Sequence, residues 1–152
     1  MSSRLIARSR AIAGALGCLA SLGAAAADFR SIAEAGTLMY DGPSSKAKKL
    51  YVASRDYPVE VLVNDGAWVK VRDATGELVW IEKKALSDRR TVLVTVSIAD
   101  VRQAPSDQAA LAFRAQQGVV LDLSEMGNAG WARVRHRDGR SGYVRMGQLW
   151  GL

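Results

Sequence analysis

Strict alternation of apolar and polar residues marks the two clearest strands of the chain. In the segment Trp68 to Arg72, two valines fall on one face, and the tryptophan and two basic residues fall on the other. The segment Trp131 to Arg135 has the same period of two, which is typical of a half-buried strand. We predict that the face with Val69 and Val71, and the matching face of the second segment, pack inside a core.

Short β-rich segments and turn signals surround these strands. Val59 to Val63 is rich in β-branched residues and ends at the turn signal Asn64-Asp65-Gly66. No long helical period occurs near either strand, and single helical turns are predicted at Lys83 to Leu86 and at Met146 to Leu149. About five short strands in each sixty residues predict an all-β fold of small bent sheets or barrels, because closure removes exposed edges.

The chain contains two copies of one unit, because matched residues recur in the same order. The matched pairs are Pro43 with Pro105, Val59 with Leu121, Val61 with Leu123, Trp68 with Trp131, Val71 with Val134, Gly76 with Gly139, Trp80 with Tyr143, and Leu86 with Leu149. The separation is 62 residues in the first three pairs and 63 in the others, which predicts one inserted residue in the loop Glu125 to Gly130. We expect two tandem domains, residues 28–87 and 91–152, joined by the polar segment Ser87 to Arg90.

The order of these motifs resembles the bacterial SH3-like (SH3b) domain family. The second unit carries the family pattern in Val101-Arg102, Pro105-Ser106, Trp131 to Val134, Asp138-Gly139, Gly142-Tyr143-Val144 and Leu149. The first unit carries a looser version in Pro43-Ser44, Trp68 to Val71, Gly76, Trp80-Ile81 and Leu86. The resemblance implies two tandem small SH3-like β-barrels. It also implies a module that binds or positions, with cell-wall peptides, peptidoglycan or envelope proteins as ligands.

The first 27 residues have the pattern of a cleaved signal peptide. Arg4, Arg8 and Arg10 precede an uncharged apolar stretch, and Ala25-Ala26-Ala27 provides a small-residue cleavage site before Asp28. Cleavage lowers the formal net charge from +6 to +3, and we expect no nucleic-acid partner for an exported chain. Cys18 lies within this segment; lipidation of Cys18 is the alternative, and otherwise the mature chain has no cysteine. We predict a periplasmic protein without a membrane span.

The residues that suggest chemistry lack the partners that catalysis requires. His136 is the only histidine, and it precedes a turn with no second histidine or cysteine to share a metal. Ser45 and Lys48 match the S-x-x-K motif of penicillin-binding enzymes, but the other motifs of that site are absent from the sequence. We therefore expect no enzymatic activity, no metal and no cofactor, and interpret both places as solvated turns or loops.

The candidate ligand site is the face that carries Trp131, Arg133 and Arg135, with Tyr143 nearby. Guanidinium groups bind carboxylates through paired hydrogen bonds, and an adjacent aromatic ring packs against an apolar part of the ligand. A solvated basic face is the alternative. Trp68 is the equivalent candidate of the first unit, and we expect Trp68 and Trp131 to be partly exposed. Trp80 and Tyr143 remain open between core and surface.

The sequence thus predicts a non-catalytic periplasmic module that recognises a cell-wall peptide, peptidoglycan or an envelope protein. The alternative is a structural or regulatory subunit that docks a periplasmic protein partner. Five basic residues between Arg133 and Arg145 make the second unit the expected site of an anionic ligand.

Overall fold

The computed structural model describes residues 26–152. The predicted signal peptide lies almost entirely outside these residues, and Cys18 lies entirely outside them. No helix in the described part has the length and apolar character needed to cross a membrane.

The first repeat forms a seven-stranded antiparallel sheet in the order β3-β2-β6-β5-β4-β1-β7. Its strands are β1 (Asp28–Ile32), β2 (Thr37–Tyr40), β3 (Lys49–Ala53), β4 (Pro58–Asp65), β5 (Trp68–Arg72), β6 (Leu78–Glu82) and β7 (Leu86–Ser87). A single 3₁₀ turn, Lys83–Ala85, precedes β7.

The second repeat has the same topology, in the order β10-β9-β13-β12-β11-β8-β14. Its strands are β8 (Thr91–Val94), β9 (Ile98–Arg102), β10 (Leu111–Gln116), β11 (Val120–Met126), β12 (Trp131–Arg135), β13 (Ser141–Arg145) and β14 (Leu149–Trp150). Its 3₁₀ turn is Met146–Gln148. The all-β expectation is confirmed, and so are the two helical turns. The expected number of strands was too low, because strands such as β7 and β14 span only two residues and are too short to show alternation.

Each sheet curls around its own core. The core residues of the first repeat are Ile32, Met39, Ala53, Val59, Val69, Val71, Val79 and Ile81. Those of the second are Val92, Val94, Ala99, Val101, Phe113, Ala115, Leu121, Ala132, Val134, Val144 and Leu149. Strands at both ends of each sheet order contribute to one cluster, which requires the sheet to bend back on itself. The predicted inward face of Val69 and Val71 is confirmed.

The hairpin between β4 and β5 turns later than the sequence suggested. Asn64 and Asp65 still belong to β4, with Asp65 opposite Trp68, so the turn consists of Gly66 and Ala67. Gly66 has a φ of 57°, the left-handed conformation that a two-residue hairpin requires and that glycine adopts without strain. Glycine alone marked the turn, and the two residues before it extend the strand.

The inserted residue of the second repeat lies in the loop between β11 and β12. This loop spans the four residues 127–130, where the first repeat has two, because β11 ends one residue earlier than β4 and one further residue is inserted. Ala129 and Gly130 both have positive φ, at 56° and 81°. The predicted position of the insertion is therefore confirmed, and β12 keeps its register because the extra residue stays in the loop.

The two repeats touch beside the joint. Thr91 is 1% exposed, and its Oγ1 donates a hydrogen bond of 2.7 Å to the backbone oxygen of Asp56 in the first repeat. Phe29 and Trp150 pack edge to face, with ring centroids 5.0 Å apart. A buried hydrogen bond and an aromatic contact thus hold the repeats together as a packed pair.

Candidate functional site

Three cross-strand pairs form the outer face of β12 and β13. Trp131 lies opposite Arg145, Arg133 opposite Tyr143, and Arg135 opposite Ser141. Arg133 and Arg135 are exposed, as their strand phase predicts, whereas Tyr143 is half-buried. The structure therefore brings Arg133 and Tyr143 side by side on the surface of the second repeat.

Arg133 and Arg135 line a cavity of about 510 Å³, here called the joint cavity. Its walls are Arg89, Arg90, Asp122, Leu123, Ser124, Arg133, Arg135 and Ser141. Two arginines come from the joint between the repeats, and two come from β12. Four arginines face a single aspartate, so the cavity carries a strong positive charge.

Asp122 already forms an ion pair with an arginine of the joint. Arg89 donates from Nε and Nη2 to the two carboxylate oxygens of Asp122, at 2.9 and 2.8 Å. This bidentate hydrogen bonding raises the pKa of Arg89 above its ordinary value. Arg135 approaches the same carboxylate only to 3.7 Å. The one carboxylate of the cavity therefore pairs mainly with Arg89 and compensates little of the charge of Arg90, Arg133 and Arg135.

Arg90 and Arg133 have no carboxylate partner within residues 26–152. Arg90 donates from Nη2 to the backbone oxygen of Gly151 at 3.1 Å, and its guanidinium lies 5.9 Å from the ring centroid of Phe29. The Nε of Arg90 is buried and has no hydrogen-bond partner among the described residues. Unpaired guanidinium groups in a concave surface are suited to bind an anion.

The structure shows that the expected partial exposure of Trp131 is wrong. The residue is 4% exposed, although its strand phase places it on the outer face. The guanidinium of Arg145, directly across on β13, covers the ring at 4.3 Å from its centroid and also pairs with Asp107. Trp131 lines a different hollow of about 400 Å³ and does not line the joint cavity. Trp68 is half-buried as expected and packs edge to face against Tyr40 in the first repeat.

The hollow beside Trp131 has a counterpart in the first repeat beside Tyr40. By the repeat offset, Tyr40 corresponds to Arg102, and Glu82 corresponds to Arg145. Tyr40 and Glu82 line the hollow of the first repeat, and Arg102 and Arg145 line the hollow of the second. In the second repeat, Asp100 pairs with Arg102 at 3.2 Å and with Arg114 at 3.0 Å. Because these arginines already have carboxylate partners, this hollow offers an anion less free charge than the joint cavity.

His136 lies at the end of β12, and its side chain is 23% exposed. Its Nδ1 is 2.9 Å from an Asp138 carboxylate oxygen. Hydrogen bonds from the side chain and backbone of Arg140 hold the pKa of Asp138 well below its usual range, and His136 contributes further. Among residues 26–152, no group of three His, Cys, Asp or Glu side chains is placed to hold a metal ion.

Sequence reasoning missed Arg89, Arg90 and Asp122 as members of the site. Their place in the sequence predicts only a polar joint for the two arginines. Asp122 reaches the cavity because it lies opposite Arg135 in the β11–β12 register, which alternation alone does not specify. The run of two arginines in a short joint was the available signal.

The family model described as "Bacterial SH3 domain" matches the chain twice, over residues 33–88 and 95–151. No curated protein matches the chain.

Several solved structures resemble it, including two from Trichomonas vaginalis and one from Bacillus cereus. NlpC2 from Trichomonas vaginalis is 22% identical, with a TM-score of 0.36, over 82% of this chain and 48% of that one. NlpC1 from the same organism is 23% identical, with a TM-score of 0.36, over 90% and 50%. An NlpC/P60 family protein from Bacillus cereus is 17% identical, with a TM-score of 0.38, over 81% and 56%. The chain spans about half the length of these structures.

Proposed function

Because this chain belongs to the bacterial SH3 domain family, we propose that it acts as a non-catalytic binding module in the bacterial envelope. Its ligand is an anionic cell-wall peptide held in the joint cavity. One observation carries this proposal: four arginines line the cavity, and its single carboxylate is already engaged by Arg89.

The chemistry of the cavity matches a peptide carboxylate. Arg133 and Arg135 each present a planar set of donors that can bind a carboxylate through two parallel hydrogen bonds. Tyr143 lies opposite Arg133, is half-buried and stands outside the walls of the joint cavity, so its exposed part offers an aromatic surface only to a ligand that extends past Arg133. Peptide stems of the cell wall carry such carboxylates next to small apolar side chains.

Sedimentation with purified sacculi tests this function. Arg133→Ala combined with Arg135→Ala should weaken binding at least about tenfold, given roughly 1.5–3 kcal/mol for a hydrogen bond to a charged group. It should also flatten the salt dependence of binding. The matched control replaces Lys70 and Arg72, the counterparts on β5, and should bind nearly as well as wild type. Equal binding by the wild type and the Arg133/Arg135 variant would assign the basic strand to a solvated face.

Export to the periplasm is the second part of the proposal. It is supported by the basic start of the chain, the uncharged apolar stretch and the small-residue site before Asp28. The N-terminal sequence of protein recovered from the periplasm should begin at, or within a residue of, Asp28. Protein found in the cytoplasm with Met1 intact would contradict it.

Docking of an envelope protein is the second candidate function. Two exposed apolar side chains on opposite faces of the edge strand β3 favour it, since Val52 is 67% exposed and Tyr51 is 47% exposed. In a pull-down from envelope extract, Val52→Asp should then release a specific partner while sacculus binding stays unchanged. Loss of sacculus binding in the Arg133/Arg135 variant, with an unchanged pull-down, would favour the first function.

A further inference from the structure

A second cavity lies on the other side of Arg89. It has a volume of about 360 Å³ and shares Arg89 and Asp122 with the joint cavity, so that one ion pair forms a wall of both. Its remaining walls come from both repeats: residues 54–56 of the first, and residues 118–120 with His136 and Arg137 of the second. We call it the inter-repeat cavity.

The inter-repeat cavity has its own unpaired basic groups. Arg55 and Arg137 are exposed, and neither pairs with a carboxylate within residues 26–152. The two acidic groups of this cavity, Asp56 and Asp122, both accept hydrogen bonds from Arg89, at 3.4 Å and 2.8–2.9 Å. Arg89 thus hydrogen-bonds the acidic groups of this cavity. Each of the two cavities beside Arg89 therefore keeps arginines that have no carboxylate partner among the described residues.

The position of Arg55 relative to the second repeat is set by the fold. Asp56, the next residue, has a φ of 65°, and its backbone N–H donates to the Ile32 oxygen at 2.8 Å. Its own backbone oxygen accepts the buried hydrogen bond from Thr91. The loop that carries Arg55 is therefore fixed to both repeats, which preorganises its spacing from the arginines of the second repeat.

We infer that the two cavities form one site for a ligand with two carboxylates, which lies across Arg89. One carboxylate binds Arg133 and Arg135 in the joint cavity, and the other binds Arg55 and Arg137 in the inter-repeat cavity. The inference rests on the proposed function for the first cavity and narrows its ligand to a peptide with two neighbouring anionic groups. It also makes the first repeat part of the site, because Arg55 belongs to that repeat.

Two synthetic peptides test the inference by isothermal titration with the mature two-repeat chain. The first is the acetylated stem tripeptide Ala-γ-Glu-Lys with its lysine amine also acetylated, which carries two carboxylates. The second differs only in that the glutamate α-carboxylate is an amide, which leaves one. The wild type should bind the first at least about tenfold tighter, since one charge-assisted set of hydrogen bonds is lost in the second.

The variants separate this inference from the proposed function. Arg55→Ala with Arg137→Ala should remove the preference for two carboxylates by weakening the binding of the first peptide to the level of the second, while thermal unfolding and the binding of the second peptide are retained. The Lys70/Arg72 variant should keep the full preference. If the wild type binds both peptides equally, or if the Arg55/Arg137 variant keeps the preference, the two-carboxylate inference is overturned and the proposed function stands. If the Arg133/Arg135 variant binds sacculi like the wild type, the proposed function falls, and this inference falls with it.

Discussion

At the scale of single residues, Asp73 organises the hairpin between β5 and β6. Its carboxylate oxygen Oδ1 accepts hydrogen bonds from the backbone N–H groups of Thr75 and Glu77, at 2.8 and 2.9 Å, and from the Thr75 hydroxyl at 2.7 Å. Asp73 is 9% exposed, so water does not readily replace these bonds. The equivalent residue of the second repeat is His136, and there Asp138 holds the turn by accepting from the Arg140 backbone at 3.0 Å.

Asp73→Ala should lower the free energy of unfolding by about 1–3 kcal/mol, because it leaves backbone donors in a partly buried turn without an acceptor. Urea denaturation measures the change. Asp41→Ala is the matched control, since Asp41 accepts one backbone hydrogen bond, from Lys48, in an exposed loop. A loss as large in the control as in the Asp73 variant would show that acceptor number and burial are not the cause.

Trp131 shows where residue-level prediction from sequence ends. Alternation placed its side chain on the outer face of its strand, together with Arg133 and Arg135, and that phase is correct. The expected exposure was wrong because Arg145 of the neighbouring strand covers the ring. Exposure depends on what lies across the sheet, and only the register supplies that information.

At the scale of elements, the repeat offset predicted more than alternation did. The offset of 62 and then 63 residues anticipated the shared topology, the paired 3₁₀ turns and the site of the insertion. It did not anticipate how the two cores differ. Val79 of β6 corresponds to Gly142 of β13, and the exposed Tyr51 corresponds to the buried Phe113. The second repeat thus removes a core side chain in one strand and adds a larger one in another.

Gly142→Ala should destabilise the protein by about 1–3 kcal/mol, because overpacking forces backbone to move. A Cβ at this position would lie 2.5 Å from the Arg102 backbone oxygen and 2.8 Å from a Val101 methyl group. Gly147→Ala is the control, since a Cβ there meets nothing within 4 Å. Thermal unfolding of the two variants should differ clearly, and equal midpoints would show that β9 and β13 separate at little cost.

At the scale of the whole molecule, the two repeats pack closely against each other beside the joint. Gly151 illustrates this: its φ is 108°, and a Cβ there would lie 2.8 Å from the Thr91 oxygen and 3.2 Å from Pro58 of the first repeat. Phe29 against Trp150 and Thr91 against Asp56 belong to the same contact. The shortness of the joint, Ser87 to Arg90, also favours a packed pair. The sequence could not reveal the two cavities, because their walls combine residues far apart in the chain.

Residues 91–152 expressed alone should unfold at a lower urea concentration than residues 28–152. The fragment loses the acceptor for Thr91 and the ring that packs on Trp150, and a domain of this size buries only about 60% of its unfolded surface. Tryptophan fluorescence and circular dichroism measured together report the two transitions. Equal stability of the fragment and the longer chain would contradict the packed pair.

The strands on either side of the joint differ in how they are held, and this gives the molecule a mechanical polarity. Strand β7 lies at the edge of its sheet and pairs only through Ser31 with Ser87 and Ile32 with Leu86. Strand β8 lies inside its sheet, with β11 on one side and β14 on the other. Tension that pulls the repeats apart through the joint therefore peels β7 from its two partners while β8 stays anchored. We therefore expect the first repeat to unfold before the second when the repeats are pulled apart through the joint.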